Sequence, residues 1–252
     1  MKTLLIIGIG AGDPDQITVQ AVKAIASVDV FFLFDKGDAK GDLIQLRTDL
    51  VARYATTRPH RFVNAESPRW SAKGDDYPGI VDDLNARKQA LTRELFAHEL
   101  QDDERGGILV WGDPALYDST IRIVGAIAAE PGAEIEYEVI PGISSIQALA
   151  ARHKANWNEI GGAVEITTGR RLEAGLPEAQ SVLVMLDARN AFLNHLGKDL
   201  EIAYGAYVGT PDEFLIRGPL DEVADEIFRR REEARAAKGW IMDSYLLRRL
   251  PS

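Results

Sequence analysis

The chain has 252 residues, 46% hydrophobic and 27% charged, an ordinary globular composition with room for one large domain or two small ones. It has no cysteine, which excludes disulfide frameworks, thiolate metal sites and cysteine nucleophiles. A net charge of −10 disfavours a broad nucleic-acid surface, although a local basic cleft stays open. The longest apolar runs fall far short of a membrane span, and Met1-Lys2-Thr3 leads straight into a strand pattern rather than a signal peptide, so a soluble, cytoplasmic protein is expected.

Leu4–Ile9 reads as a short buried strand and Gln16–Ser27 as a helix. Val28–Phe34 is a second strand, rich in Phe and Val. Arg58–Asp76 is a polar stretch with one short strand at Arg61–Asn64, and the spacing of Ile80, Leu84, Leu91 and Leu95 predicts a long helix over Gly79–Leu100. Ile108–Trp111 is a strand, Thr120–Ala129 a helix and Ile135–Val139 a further strand. Strands alternating with helices imply βαβ units and a mostly parallel sheet. After Pro141-Gly142 the pattern changes. A helix at Ser144–Arg152 precedes closely spaced strands at Val164–Thr168, Ser181–Leu186, Ile202–Val208 and Phe214–Arg217, then a charged helix at Asp221–Lys238 and a terminal strand at Trp240–Leu247. The expected architecture is therefore a two-domain α/β fold. A mostly parallel N-terminal sheet occupies residues 1–140 and a mixed C-terminal sheet residues 141–252.

Four turns stand where strands end. Gly8-Ile9-Gly10-Ala11-Gly12-Asp13-Pro14 follows the first strand. A dinucleotide fingerprint wants Gly or Ala where Asp13 stands. Asp before Pro suits a helix start, Asp35 could mimic a ribose-binding acid, and the glycines could instead line a different ligand pocket. Trp111-Gly112-Asp113-Pro114-Ala115-Leu116-Tyr117 repeats the Gly-Asp-Pro turn. Pro141-Gly142-Ile143-Ser144-Ser145 leads into a helix that either serine could cap, and Gly209-Thr210-Pro211 follows a late strand. Ligands of open α/β sheets bind outside the carboxyl ends of strands, where such loops lie; ordinary strand-to-helix turns are the plainer reading.

Taken together, in order and spacing, the Gly-x-Gly-x-Gly-Asp start, the Gly-Asp-Pro-x-x-Tyr loop and the Pro-Gly-Ile-Ser-Ser segment resemble the tetrapyrrole methylase family. The resemblance covers nearly the whole chain, including Ser181–Leu186 and Gly209-Thr210-Pro211. The Tyr117-Asp118-Ser119-Thr120 continuation and the insertion Asn64–Leu100 resemble those family members that also remove an acetyl group from their substrate. The chain departs from the family at Asp118, where Gly is usual, at Trp111, often Gly, and at Ala11, usually Pro.

The resemblance implies S-adenosylmethionine as methyl donor, held between the two domains and left as S-adenosylhomocysteine, and a small-molecule precorrin as acceptor, methylated at ring carbon 1. A homodimer is expected. The matching cofactor positions are Ala11, Gly112, Asp113, Leu116, Ser144, Ser145, Leu186 and Gly209. Leu186 would form an apolar slot for adenine or pack in a core, and Asp113 would accept from the methionine ammonium or cap a helix. Loss of an acetyl group needs activated water and a stabilised oxyanion, for which Tyr117, Asp13 and Asp118 are candidates; capping for Asp13 and a structural hydrogen bond for Tyr117 compete. Arg58, Arg61, Arg69 and Lys73, and Arg170 with Arg171, could bind substrate carboxylates or simply be solvated, and Arg229–Glu233 reads as a solvated helix face. The four histidines have no metal-ligand spacing, and no metal is expected. Competing functions are methylation of another precorrin, a protein or an RNA; a pyridine-nucleotide oxidoreductase resting on Gly8, Gly10 and Asp35; and a non-catalytic binding module.

Overall fold

A computed structural model describes residues 1–35, 41–68 and 77–250. The chain forms two compact units, Met1–Gly10 with Pro14–Ile143, and Ala11–Asp13 with Ser144–Ser252.

The first unit runs β1 (Lys2–Gly8), α1 (Val19–Ile25), β2 (Val30–Asp35), α2 (Gly41–Tyr54), β3 (Arg61–Glu66), α3 (Tyr77–Glu99), β4 (Arg105–Val110), α4 (Thr120–Ala128) and β5 (Ile135–Ile140). The strands pair in the order β3-β2-β4-β1-β5, all parallel. Side chains alternate across a strand, and here both faces are covered. Leu5 and Ile7 of β1 pack with Ala21, Ile25, Leu50 and Val51 on one side. Leu4 and Ile6 pack with Phe96, Val124 and Ile127 on the other. This strand order differs from the 3-2-1-4-5-6 arrangement of dinucleotide-binding sheets, which removes the topological support for an oxidoreductase. Asp35 ends β2, but its side chain lies outside the described residues.

The second unit holds α5 (Ser145–His153), β6 (Val164–Thr168), α6 (Gly169–Ala174), β7 (Ser181–Met185), β8 (Leu200–Ala206), β9 (Phe214–Pro219), α7 (Leu220–Lys238) and β10 (Asp243–Arg249). Its sheet has the order β6-β7-β10-β8-β9, with β6 and β7 parallel and the other pairs antiparallel. The α/β class, with one parallel and one mixed sheet, is as expected from the sequence.

Several details differ from the sequence reading. Asp13 does not begin a long helix. Pro14–Gln16 forms a single 3-10 turn, and α1 starts later because Thr18 accepts the Ala21 N–H at 3.0 Å. Helices α2 and α6 were not anticipated, and β10 begins at Asp243 rather than Trp240. Arg58 and Arg61 are not held ready for a ligand. Arg58 pairs with Asp29 at 2.6 Å, and Arg61 clasps Glu104 with contacts of 2.6 and 2.9 Å. That pairing pulls the Glu104 carboxyl down to about 2. Arg69 and Lys73 lie outside the described residues. Arg231 is not on a solvated face: it continues the stripe Leu220, Ala224, Ile227 and is fully buried.

Candidate functional site

Strands β1, β4 and β5 are adjacent and parallel, so the segments that follow them leave the same end of the sheet. Glycines let those segments come close. Gly10 and Gly112 exchange backbone hydrogen bonds, Gly112 N to Gly10 O at 2.8 Å and Gly10 N to Gly112 O at 3.3 Å. A Cβ on Gly142 would lie 2.1 Å from the Gly112 carbonyl oxygen and 2.8 Å from the Gly8 carbonyl carbon. Gly112 itself has φ +70°, the left-handed region that suits glycine.

Asp113 fixes this arrangement. Its Oδ2 accepts the Gly142 N–H at 2.9 Å and its Oδ1 the Ala115 N–H at 2.8 Å, joining the segment after β4 to the one after β5. Leu116 closes the turn, its N–H reaching the Asp113 carbonyl at 3.2 Å. Tyr117 follows with φ +54° and 45% of its surface exposed. A left-handed non-glycine residue carries strain of order 1–3 kcal/mol and tends to cluster at functional sites. Asp118 comes next, its Oδ1 accepting the Thr120 N–H at 2.7 Å at the start of α4. Nearby, Arg47 of α2 donates to the Leu109 carbonyl at 3.0 Å; burial lowers its pKa, and the Asp118 carboxylate opposes that shift. The Trp111 indole Nε1 is buried with no hydrogen-bond partner among the described residues.

In the second unit, Ser144 is buried and N-caps α5, its N–H donating to Gln147 Oε1 at 2.9 Å, while Ser145 opens the helix and is half-buried. Capping is thus the visible role of Ser144. Ala11 is buried against Ala148, Leu149 and Val208. A Cβ on Gly12 would meet Thr210 Cγ2 at 2.6 Å, and one on Gly209, with φ +85°, would meet Asp13 N at 2.9 Å. Arg152 donates to Asp13 at 3.3 Å and to Glu213 at 3.1 Å, and Glu213 Oε2 accepts the Gly209 N–H at 2.7 Å. The sequence reading singled out Ala11, Asp13 and Gly209, which come together. It missed Arg152 and Glu213, which no local motif flags.

Leu186 is not core. It follows β7 with φ +54° and is 63% exposed. The turn after it is braced from below. Asp187 Oδ2 accepts from Tyr245 Oη at 2.6 Å and from Ala191 N at 2.7 Å, and Oδ1 accepts from Arg189 N at 2.9 Å. Arg231 donates to the Asp187 carbonyl and, through Nε, to Asp243 Oδ2 at 2.7 Å, which also accepts from Tyr204 Oη at 2.8 Å. Burial pushes Asp243 and both phenols upward. Asn190 Oδ1 and Ser244 Oγ are buried without partners among the described residues, and Ser244 pairs in register with Met185, next to Leu186. The position of Arg231 four residues after Ile227 was the one sequence signal for this network.

Among the described residues, no group of three or more His, Cys, Asp and Glu is arranged to hold a metal ion, and no helix is long and apolar enough to cross a membrane. Comparison with known proteins places these loops in a wider setting. The profile of the tetrapyrrole (corrin/porphyrin) methylases matches residues 3–224. A precorrin-6A synthase [deacetylating] of Sinorhizobium sp. is 47% identical over 250 residues, covering 99% of this chain and 96% of the relative. The crystal structure of a cobalamin-synthesis-related protein from Corynebacterium diphtheriae superposes with a TM-score of 0.84 at 32% identity, over the full length of both chains. A Thermus thermophilus uroporphyrin-III C-methyltransferase, complexed with S-adenosylhomocysteine, shares the fold with a TM-score of 0.58 at 18% identity, over 97% of this chain and 96% of that one.

Proposed function

Because this chain belongs to the tetrapyrrole (corrin/porphyrin) methylase family, we propose that it is an S-adenosylmethionine-dependent C-methyltransferase that takes precorrin-5 to precorrin-6A, with methylation at carbon 1 and loss of acetate. The observation that carries the reading is the 47% identity, along 99% of the chain, to a precorrin-6A synthase that deacetylates. Its place is cobalamin biosynthesis.

The residues present fit the methyl donor. Gly112 and Gly209 hold left-handed backbone with no side chain to obstruct a ligand. Leu186 is an apolar side chain kept exposed in a strained conformation, which contact with an adenine ring would explain. The unpartnered Trp111 Nε1, Asn190 Oδ1 and Ser244 Oγ leave polar atoms at both sets of loops. In this reading Ala11, Gly112, Asp113, Leu116, Ser144, Ser145, Leu186 and Gly209 hold the nucleoside. Each Asp113 oxygen accepts one protein N–H and keeps a lone pair for the ligand's ammonium.

Bound S-adenosylmethionine supplies an electrophilic methyl group. The protein's task in that step is alignment, since in-line displacement by an electron-rich ring carbon needs no strong base. Acyl loss makes other demands. The Tyr117 phenol, leaving the Asp113 turn, donates to the oxyanion that forms on the acetyl carbonyl. Asp118 is the better-placed of the two candidate bases: Asp13 shares Arg152 with Glu213, whereas Asp118 uses one oxygen on Thr120 N and has no other hydrogen-bond partner among the described residues. The enzyme acts as a cytoplasmic homodimer in this reading, with no nucleic-acid or membrane partner; light scattering and cell fractionation check those points.

The deciding experiment is mass spectrometry after incubation with S-adenosylmethionine and a precorrin mixture. The expected product carries one added methyl group and lacks the acetyl group, with S-adenosylhomocysteine and acetate formed in equal amounts. Methylation of a different precorrin, or of none, refutes the assignment.

A further inference from the structure

A pocket of about 80 Å3 lies in the first unit, where β4, α3 and α4 meet next to Asp118. It has two kinds of wall. Ile108, Ile123 and their neighbours are apolar, whereas Ser67, Lys88, Thr92 and Ser119 bring an ammonium and three hydroxyls. Ser67 and Thr92 are only 6% and 5% exposed. Yet the side chains of these four residues have no hydrogen-bond or ion-pair partner among the described residues, and Ser119 makes no cap bond to α4. Four polar groups converging without partners on one small cavity mark a place where a ligand accepts their hydrogen bonds. The size limits that ligand. A cavity of ~150 Å3 accommodates the six heavy atoms of benzene, so about half that volume suits three or four. An acetyl group has three and acetate four, each with a methyl end for the apolar wall and oxygen for the donors.

We propose that this pocket receives the acetyl group that the enzyme removes, with Lys88 as a catalytic residue that donates to the acetyl carbonyl oxygen. The proposal rests on the deacetylating reading above and deepens it. Asp118 takes a proton from water as the water oxygen adds to the acetyl carbonyl carbon. The C=O electron pair moves onto oxygen, where the Lys88 ammonium and the hydroxyls of Ser67 and Thr92 join the Tyr117 phenol in facing it. When the carbonyl re-forms, the bond between the acetyl carbon and the ring carbon breaks. Its electron pair returns to the ring system that methyl transfer has left cationic, and neutralises it. Acetic acid departs and ionises to acetate, and Asp118 releases its proton to solvent. The unpaired ammonium suits both the oxyanion and the acetate that follows it.

Titration of the cofactor-free protein with 13C-acetate, followed by NMR line broadening, reads the pocket without turnover. Wild-type protein is expected to bind acetate saturably, Lys88→Met and Thr92→Val to weaken that binding at least tenfold, and Thr92→Ser to restore it. With the precorrin mixture, Lys88→Met is expected to lower the ratio of acetate released to S-adenosylhomocysteine formed by at least tenfold. Melting curves establish that each variant folds. Absence of saturable acetate binding in wild type, or equal binding in the variants, overturns the proposal. So does a rise in KM with acetate and S-adenosylhomocysteine falling in step, which would place a carboxylate side chain of the macrocycle in the pocket. If wild type forms no S-adenosylhomocysteine from any precorrin, the functional reading fails and the acetyl chemistry with it; normal turnover without an acetate site refutes the pocket alone.

Discussion

Replacing Arg231 with Met removes one charge from a cluster whose side chains are almost wholly buried. The Arg231 and Asp243 side chains are 1% and 4% exposed, and their contact is 2.7 Å. Truncating one member of such a pair leaves the other charge buried and uncompensated, at a cost of about 3–5 kcal/mol. For a chain of this size each kcal/mol lowers Tm by roughly 2–4 °C, so a drop of about 6–20 °C is expected. The pH dependence identifies the cause. Burial raises the Asp243 pKa in the folded state, and Arg231 opposes the rise. A group with a raised folded pKa contributes stability below its unfolded value, near 3.9, and loses it as pH climbs through the folded one. Without Arg231 the folded pKa rises further, so the variant suffers its full penalty at neutral pH and recovers as acid protonates Asp243. Arg231→Met with Asp243→Asn should regain part of the loss at neutral pH. Because Arg231 also holds the Asp187 carbonyl directly after Leu186, S-adenosylhomocysteine affinity should fall about tenfold, or ~1.4 kcal/mol. Thermal melts by circular dichroism between about pH 5 and 8, with calorimetry for the ligand, test all of this. A penalty under about 1 kcal/mol, or one that does not change with pH, would refute the reasoning.

Asp113→Ala should weaken S-adenosylhomocysteine binding by roughly ten- to a hundredfold, from about 1.5–3 kcal/mol of charge-assisted hydrogen bonding; calorimetry showing unchanged affinity with a lower Tm would make Asp113 a purely structural tie between Gly142 and Ala115. Gly142→Ala places a Cβ 2.1 Å from the Gly112 carbonyl oxygen, and since both neighbours are backbone the loops must separate, at a cost of about 1–3 kcal/mol in urea melts and with a parallel loss of ligand affinity. Tyr117→Phe should lower the ratio of acetate to S-adenosylhomocysteine; a proportional loss of both would recast Tyr117 as a positioning residue. Glu104→Gln should cost up to about 1 kcal/mol at neutral pH, and the difference from wild type should vanish as pH falls from about 4.3 toward about 2, because the Glu104 pKa is depressed by Arg61; acid titration of both proteins reads it.

What the sequence disclosed was local. Alternating apolar runs announced β1, β2, β4 and β5, and the glycines and prolines that follow them marked the ends where the loops gather. Tertiary partners stayed hidden. Nothing in Arg58-x-x-Arg61 says that Asp29 and Glu104 will be waiting, so a paired segment reads as a free basic one. Arg229–Glu233 looks solvated by composition, yet Arg231 alone falls on the buried stripe of α7 and turns inward. Asp13 before Pro14 has the chemistry of a cap, but Thr18 takes that role and Asp13 goes to Arg152. Leu186 is apolar and ends a strand, which suggests a core; only its left-handed φ and its exposure show that it faces outward.

Residues Ala11–Asp13 belong to the second unit although the chain on either side of them belongs to the first. Their partners at Val208–Thr210 lie roughly 200 residues further along. On a ribosome adding about 5–20 residues per second, that separation is a wait of about 10–40 s. Throughout it β1 can await β4 and β5, while the tripeptide beyond Gly10 has nowhere to dock. Ala, Gly and Asp offer little apolar surface with which to stick elsewhere. The same threading means that no single cut yields two whole halves: a fragment beginning at Ser144 lacks the piece that covers Ala148, Leu149 and Val208. Recombination between related genes can exchange the second unit intact only if it carries the eleventh to thirteenth codons along.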